Sequence, residues 1–395
     1  MTTMPKYIWL LAVATTINVT GASFLWPLNT IYMHNELGKS LAFAGFILMF
    51  NQGASIAGNL IGGILFDKIS AFRTLLIGMS IAFSASVTLS FYHSIVPYSI
   101  MLVLIGFGAG MTWPVMFAMA GSVWPKGGRR AFNAIYVAQN LGVALGASIG
   151  GYIASISFRY IFIANAVFFA LYLLIVLTAF RGMDKERDRQ MHTTIFEQNM
   201  KIKNKSAFTA LLIICSGFLM CWIAYSQWQS TIASYTQDIG IGLEQYSMLW
   251  AINGFLIVLG QPLLKLVTDR VTSTKNQIYI GVSIIIIAFV ITMFAEAFTL
   301  FAVSMVILTI GEMIVWPAIP TLANDLAPKG RAGFYQGFVN SVGAAGRMIG
   351  PLLGGIVVDL FNIQLLFFIL IGLLVIPYLT TLLYDRWLVE EESPK

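Results

Sequence analysis

Charge is scarce in this chain: 10% of its 395 residues are Asp, Glu, Lys or Arg, where a soluble domain carries about 25%. That shortage excludes a cytosolic enzyme, a disordered chain and a nucleic-acid-binding domain. Cysteine is nearly missing as well. The only two, Cys215 and Cys221, lie six positions apart in one apolar run. On a helix they point to different faces, so neither a disulfide nor a metal site is expected, and a secreted disulfide scaffold is excluded. The histidines His34, His93 and His192 are scattered in or near loops and offer no metal or catalytic geometry. No phosphate-binding glycine loop, nucleotide-binding domain, Ser/His/Asp or Cys/His arrangement is found, so no cofactor, ATP-driven pump or enzyme is expected. Asn18-Val19-Thr20 spells a glycosylation acceptor but lies inside an apolar segment, where it is void.

Apolar residues are abundant, at 58%. A membrane span needs roughly 20 of them in a row, so this length accommodates about twelve helices with short loops. The hydropathy pattern predicts spans over Tyr7–Met33, Leu41–Phe66, Thr74–Phe91, Val96–Gly121, Phe132–Ile156 and Tyr160–Phe180. Six more are predicted over Ala207–Ala233, Ser247–Val267, Ile278–Ala295, Leu300–Leu322, Phe334–Val358 and Leu365–Tyr384. Met1–Lys6 runs straight into the first span without a small-residue cleavage site, which reads as an uncleaved span. With both termini cytoplasmic, all but three of the 23 basic residues fall inside; Lys39 and Arg159 fall outside, and Arg347 lies within a span. Dropping or adding a span would put whole basic loops on the wrong side. The expected fold is all-α and integral to the cell membrane.

The second half echoes the first. Trp26 and Trp228, Glu36 and Asp238, Gly38 and Gly240, Asn51 and Asn253, and Asp67-Lys68 and Asp269-Arg270 are all 202 apart. Trp113-Pro114 and Trp316-Pro317, and Pro125-Lys126-Gly127 and Pro328-Lys329-Gly330, are 203 apart; Gly146–Gly151 and Gly350–Gly355 are 204 apart. An ordered series with a slowly drifting offset implies an internal repeat: two pseudo-symmetric six-helix bundles with a substrate path between them. The first bundle is expected over 1–181, a cytoplasmic linker over 182–206 and the second bundle over 207–395. The stretch Arg181–Ser206 holds seven basic against four acidic residues, which suits a solvated linker or, alternatively, a juxtamembrane helix on anionic lipid.

These residues resemble the major facilitator superfamily across essentially the whole chain. Between spans two and three that family carries Gly-x-x-x-Asp-Arg/Lys-x-Gly-Arg-Arg/Lys. Gly63, Asp67, Lys68 and Arg73 fit it, while Ser70, Ala71 and Phe72 depart and thin the basic cluster. The drug:proton antiporter branch carries Gly-Pro-x-x-Gly-Gly in span five. Gly146–Gly151 matches with Ala147 for the proline, and the complete version stands at Gly350–Gly355 in span eleven. The arginine usual in span four of that branch is matched by Leu102, in an uncharged span. The resemblance implies a transporter working by alternating access, with Asp67 helping to latch the cytoplasmic faces of the two halves. As the end of a helix, Asp67 gains nothing from its own dipole and needs a partner. Arg73, or the N-terminus of span eleven near Gly333–Phe334, can supply one. Gly142, Gly146, Gly150 and Gly151 let span five approach a partner closely, for static packing or for rocking between two packings.

Two residues charged at neutral pH fall near the bilayer midplane: Glu312 in span ten and Arg347 in span eleven. Each costs roughly 2.5–3.5 kcal/mol on an insertion scale if unpaired, so each needs a reason to be there. Their first-half counterparts are Ala109 and Val143, so a function laid over the repeat explains them better than a folding need. Glu312 is expected to carry a proton as its exposure alternates, with Arg347 taking part in the coupling; the competing reading is a static ion pair between the two. Glu312 shares a helix face with Thr309 and Trp316, and Arg347 shares one with Gln336 and Asn340.

In the resembled fold, spans one, four, seven and ten line an aqueous cavity. Its candidate lining here is Asn18, Asn29 and Tyr32 (with Leu25 on the same face), Trp113 and Phe117, Trp222 and Tyr225 (with Gln229), Trp316 and Asn340. An aromatic wall with few amides suits a bulky amphipathic solute, cationic ones included. Interfacial anchoring is the plainer role for such tryptophans. The expected function is export of a small amphipathic compound, drug-like or metabolite, in exchange for protons. Import or facilitation of a sugar or organic acid on the same fold is the alternative. The expected partners are the small-molecule substrate, protons and membrane lipid, with no nucleic acid, no metal and a monomeric state.

Overall fold

Long runs of Leu, Ile, Val, Phe and Ala cannot leave their backbone amides unpaired in lipid, and a helix satisfies them within the segment. In a computed structural model, which describes residues 4–25, 29, 32–39, 41–92, 94–183 and 205–386, helices joined by short turns make up the described residues, with no strand among them. The first-half helices are α1 (Lys6–Leu25), α2 (Leu41–Lys68), α3 (Ala71–Leu89), α4 (Ile95–Val123), α5 (Arg129–Ile156) and α6 (Phe158–Ile175). The second half holds α7 (Lys205–Ser226), α8 (Thr231–Asp238), α9 (Leu243–Leu259), α10 (Gln261–Arg270), α11 (Thr274–Met293), α12 (Phe298–Leu326), α13 (Ala332–Leu360) and α14 (Ile363–Leu383). Most of the linker expected over 182–206, and Trp26, lie outside the described residues.

Among the described residues nine helices are long and apolar enough to cross a membrane, and a bent pair over Met248–Leu259 and Leu264–Arg270 gives a tenth if counted as one span. The helices α2 and α5, each 28 residues long, stand where the second and fifth spans are expected. Large apolar side chains face outward, Leu259 and Leu360 being 71% exposed. Such a surface is unfavourable in water and ordinary in lipid. The eighth span, expected to be continuous over Ser247–Val267, instead bends by 53°. Pro262 in the first turn of α10 lacks an N–H and clashes with the carbonyl one turn back, which breaks the ladder there. The seventh span likewise ends its α-helix at Ser226 and continues as a short 3₁₀ turn, Gln227–Gln229.

Contacts divide the chain into two compact units: 1–198 with 330–344, and 199–329 with 345–395. In the first, α2 packs on α4, α1 on α5 and α6, and α3 on α4 and α6. In the second, α11 packs on α12 and α14, α14 on α7, and α9 on α12. Both use the same glycine seams. A Cβ on Gly142 or Gly146 of α5 would lie 2.8 or 2.5 Å from the carbonyl oxygen of Thr16 or Thr20 in α1. On Gly346 or Gly350 of α13 it would lie 2.3 Å from Trp222 Cβ or 1.9 Å from Ser226 Oγ in α7. Loops repeat as well. The described left-handed glycines are Gly38, Gly128, Gly240 and Gly330, two pairs each 202 apart. The conformational match to Gly330 is therefore Gly128, one residue beyond the sequence match at Gly127.

Candidate functional site

The residues singled out in the second half meet around α12. Glu312 is 4% exposed, and two donors converge on its Oε2: the Tyr225 hydroxyl at 3.2 Å from α7 and Asn253 Nδ2 at 2.9 Å from α9. Asn253 Nδ2 also donates to Thr309 Oγ1 at 2.9 Å. Thr309, Glu312 and Trp316 occupy one face of α12 because positions three and four apart align. That face carries the polar groups toward α7 and α9.

An aromatic cluster adjoins the carboxylate through Tyr225. The Trp316 ring lies 5.1 Å from Trp222, 5.2 Å from Tyr225 and 5.7 Å from Phe218, and Trp250 lies 6.2 Å from Tyr225. The guanidinium of Arg347, on α13, sits over the Trp222 ring at 4.6 Å from its centroid, within cation–π range. Its closeness to α7 follows from the glycine seam, since Gly346 brings the α13 backbone against Trp222. The ion pair read as one possibility from sequence is not formed: among the described residues no salt bridge joins Arg347 to Glu312. Each charge instead meets an aromatic residue of α7, one turn apart. The Trp222 and Tyr225 rings themselves lie 5.6 Å apart.

The latch candidates lie in the first unit. Asp67, at the end of α2, accepts from the backbone N–H groups of Gly333 at 2.9 Å and Phe334 at 2.8 Å. The first turn of α13 thus offers it unsatisfied amides and the positive end of a dipole. A Cβ on Gly63 would stand 2.2 Å from the carbonyl oxygen of Gly333, so only glycine admits this approach. Lys68 and Arg73 are exposed, and the Arg73 amide donates to Ser70 Oγ as part of the α3 cap.

The remaining candidates are more dispersed. Asn18 is buried and donates to Thr112 Oγ1 at 3.4 Å. Asn29 accepts from the Tyr98 hydroxyl at 2.7 Å. Tyr32 is enclosed by the rings of Tyr98, Phe158 and Phe162, which is a packing environment. Trp113 is partly buried, and Phe117 stacks on Phe132. Asn340 donates back to the Gln336 carbonyl within its own helix. A Cβ on Gly150 would lie 3.3 Å from Phe24 Cα, and Gly151 lies on the same helix. Sequence reasoning missed Asn253, Phe218 and Trp250 as members of the Glu312 cluster. Asn253 had a signal: it is an amide inside a predicted apolar span, paired in the repeat with Asn51.

A profile of the Major Facilitator Superfamily matches residues 11–351 and 229–394. An uncharacterized MFS-type transporter of Bacillus subtilis (strain 168), YttB, is 53% identical over 384 residues, covering 97% of this chain and 96% of that protein. The multidrug resistance protein MdtH of Aeromonas salmonicida (strain A449) is 23% identical over 364 residues, 90% of this chain and 88% of the relative. Among solved structures, the human organic anion transporter MFSD10 (TETRAN) superposes with a TM-score of 0.76 at 13% identity, over 96% of this chain and 100% of that one. A POT family transporter in complex with 5-aminolevulinic acid gives 0.73 at 17% identity, over 96% and 95%.

Proposed function

Because the chain belongs to the Major Facilitator Superfamily, a family of transporters and not of enzymes, we propose that this membrane-spanning protein exports a small amphipathic compound in exchange for protons. It does so from the cell membrane, with both termini cytoplasmic, by alternating access of two six-helix bundles. The single observation that carries the reading is Glu312: a carboxylate buried in mid-span, held by Tyr225 and Asn253 one turn from Trp316 on α12. A buried carboxylate held by neutral donors can exist charged or protonated, and a change in what surrounds it moves it between the two states. A proton moving inward across 100 mV supplies about 2.3 kcal/mol, enough to drive a solute outward. The aromatic rings around it give a solute with a ring system a surface to stack on. Kinship with proteins named for multidrug resistance supports an amphipathic cargo. Asp67 acts as the latch, its carboxylate holding the first turn of α13 in one conformation and releasing it in the other.

Everted membrane vesicles holding the protein test the reading. Adding a transported solute under an imposed pH gradient should collapse part of the gradient. Glu312→Gln keeps the shape and a hydrogen-bonding oxygen but cannot carry the proton, so uphill export should vanish while some downhill exchange of the same solute persists. Uphill export by Glu312→Gln at the unmodified rate and pH dependence would defeat the assignment.

A further inference from the structure

The wall of tryptophans read from the sequence suits a cation, but in the folded chain the Trp222 face is occupied by the protein's own cation, Arg347. Among the described residues the Arg347 guanidinium has no hydrogen-bond acceptor and no carboxylate partner. It carries five N–H donors in a planar fork and keeps its charge. Beside it, the indole Nε1 of Trp222 is a second donor, buried and without an acceptor. The acceptor side of the neighbourhood is closed off: Glu312 is buried, with Tyr225 and Asn253 donating to it. Arg347 is half-buried while Glu312 is 4% exposed, so Arg347 is the more accessible charge of this cluster. Unmatched donors, one of them fully charged, gather where a solute would stack, and the missing partner is an acceptor.

We propose that the solute is an aromatic organic anion or zwitterion whose carboxylate, or comparable oxyanion, binds Arg347 at the Trp222 face. This inference rests on the transporter reading above and names the substrate class of that site. A bidentate guanidinium–carboxylate contact is stronger and more directional than a ring contact. An arriving anion therefore draws the guanidinium off Trp222 and leaves the ring free to stack on the solute. Arg347 is then a binding residue, and Glu312 is left to the proton.

Equilibrium dialysis of the purified full chain in detergent, with three probes sharing one ring system, decides the matter: 1-naphthoate, neutral 1-naphthalenemethanol and 1-naphthylmethylammonium. The unmodified protein should bind the naphthoate at least tenfold more tightly than the ammonium. Arg347→Gln should lose at least tenfold for naphthoate and stay within twofold for the alcohol, and Arg347→Lys should fall between. Equal or tighter binding of the ammonium, no naphthoate binding by the unmodified protein, or unchanged naphthoate binding by Arg347→Gln would overturn the proposal. The charge preference of the unmodified protein supports or overturns it even where Arg347→Gln does not fold. Preference for naphthoate without pH-driven export in vesicles would overturn proton antiport and leave this inference standing. Proton-driven export with preference for the ammonium would do the reverse.

Discussion

The two halves of the repeat share a scaffold and differ in what they hold. In both, glycines on the fifth helix of the repeat lie against the first, at Gly142 and Gly146 on α1 and at Gly346 and Gly350 on α7. In both, a glycine pair joins the third and fourth helices: Gly78 with Gly108, and Gly281 with Gly311. The chemistry diverges at matched positions. Asn51 donates to the backbone carbonyl of Leu102 at 2.7 Å, whereas its counterpart Asn253 donates to Glu312 and Thr309. Ala109 and Val143 stand where the second half has Glu312 and Arg347. Close helix packing leaves no room for a side chain at the seam in either half, while a mid-span polar group is costly unless it finds a partner. The glycine seams are thus common to both halves, and the mid-span charges belong to the second half alone.

The sharpest way to break that division is to move the chemistry without touching the scaffold. Glu312→Gln should reduce uphill transport by more than a hundredfold, while Ala109→Ser at the matched position should leave it within twofold, both measured in vesicles. Equal losses would show that the two halves contribute alike.

The seams come next. In Gly146→Ala the new Cβ meets the Thr20 carbonyl oxygen at 2.5 Å, a backbone atom that cannot step aside. In Gly350→Ala the first obstacle is the Ser226 hydroxyl, a rotatable group, with the Ile223 carbonyl oxygen at 2.9 Å. Overpacking of this kind typically costs about 1–3 kcal/mol, and Gly146→Ala should lower the melting temperature more than Gly350→Ala. The reverse order would mean that the first-half seam is looser than its geometry.

A smaller effect is expected at Asp67 and its repeat mate. Asp67→Asn replaces one of two carboxylate oxygens facing the Gly333 and Phe334 amides with an N–H₂, so one bond is lost and the other is no longer charge-assisted. Transport should slow several-fold in a normally inserted protein. Its repeat mate Asp269 is exposed, and Asp269→Asn should slow transport less. Equal slowing by both would remove the latch role from Asp67.

The smallest effect concerns a contact that the first half lacks, where Phe72 stands at the position matching Lys275 in the 203-residue register. Lys275 pairs with Asp385 at 2.7 Å, with side chains 24% and 37% exposed. Partly exposed pairs contribute about 0–1 kcal/mol and weaken with salt. Lys275→Met should shift the melting temperature by a degree or two at low salt and by less at high salt.

The sequence by itself determined the number and order of the apolar helices, because a hydrocarbon solvent forces long apolar runs into helices that satisfy their own backbones. It also showed the repeat and its glycines, and it isolated Glu312 and Arg347, since a charge in mid-span stands out against an uncharged background. It placed Thr309 and Trp316 beside Glu312, because neighbours on one helix are fixed by its pitch. Only the tertiary structure decided what faces that group from other helices. Asn253 and Tyr225 reach Glu312, and Arg347 settles on Trp222, because of how far each helix is rotated and how closely its seam lets it approach. Those quantities depend on side chains 59 and 125 residues away in the chain. The bend at Pro262 was written locally, but its 53° was not: a proline removes one hydrogen bond, and the packing around it sets the angle.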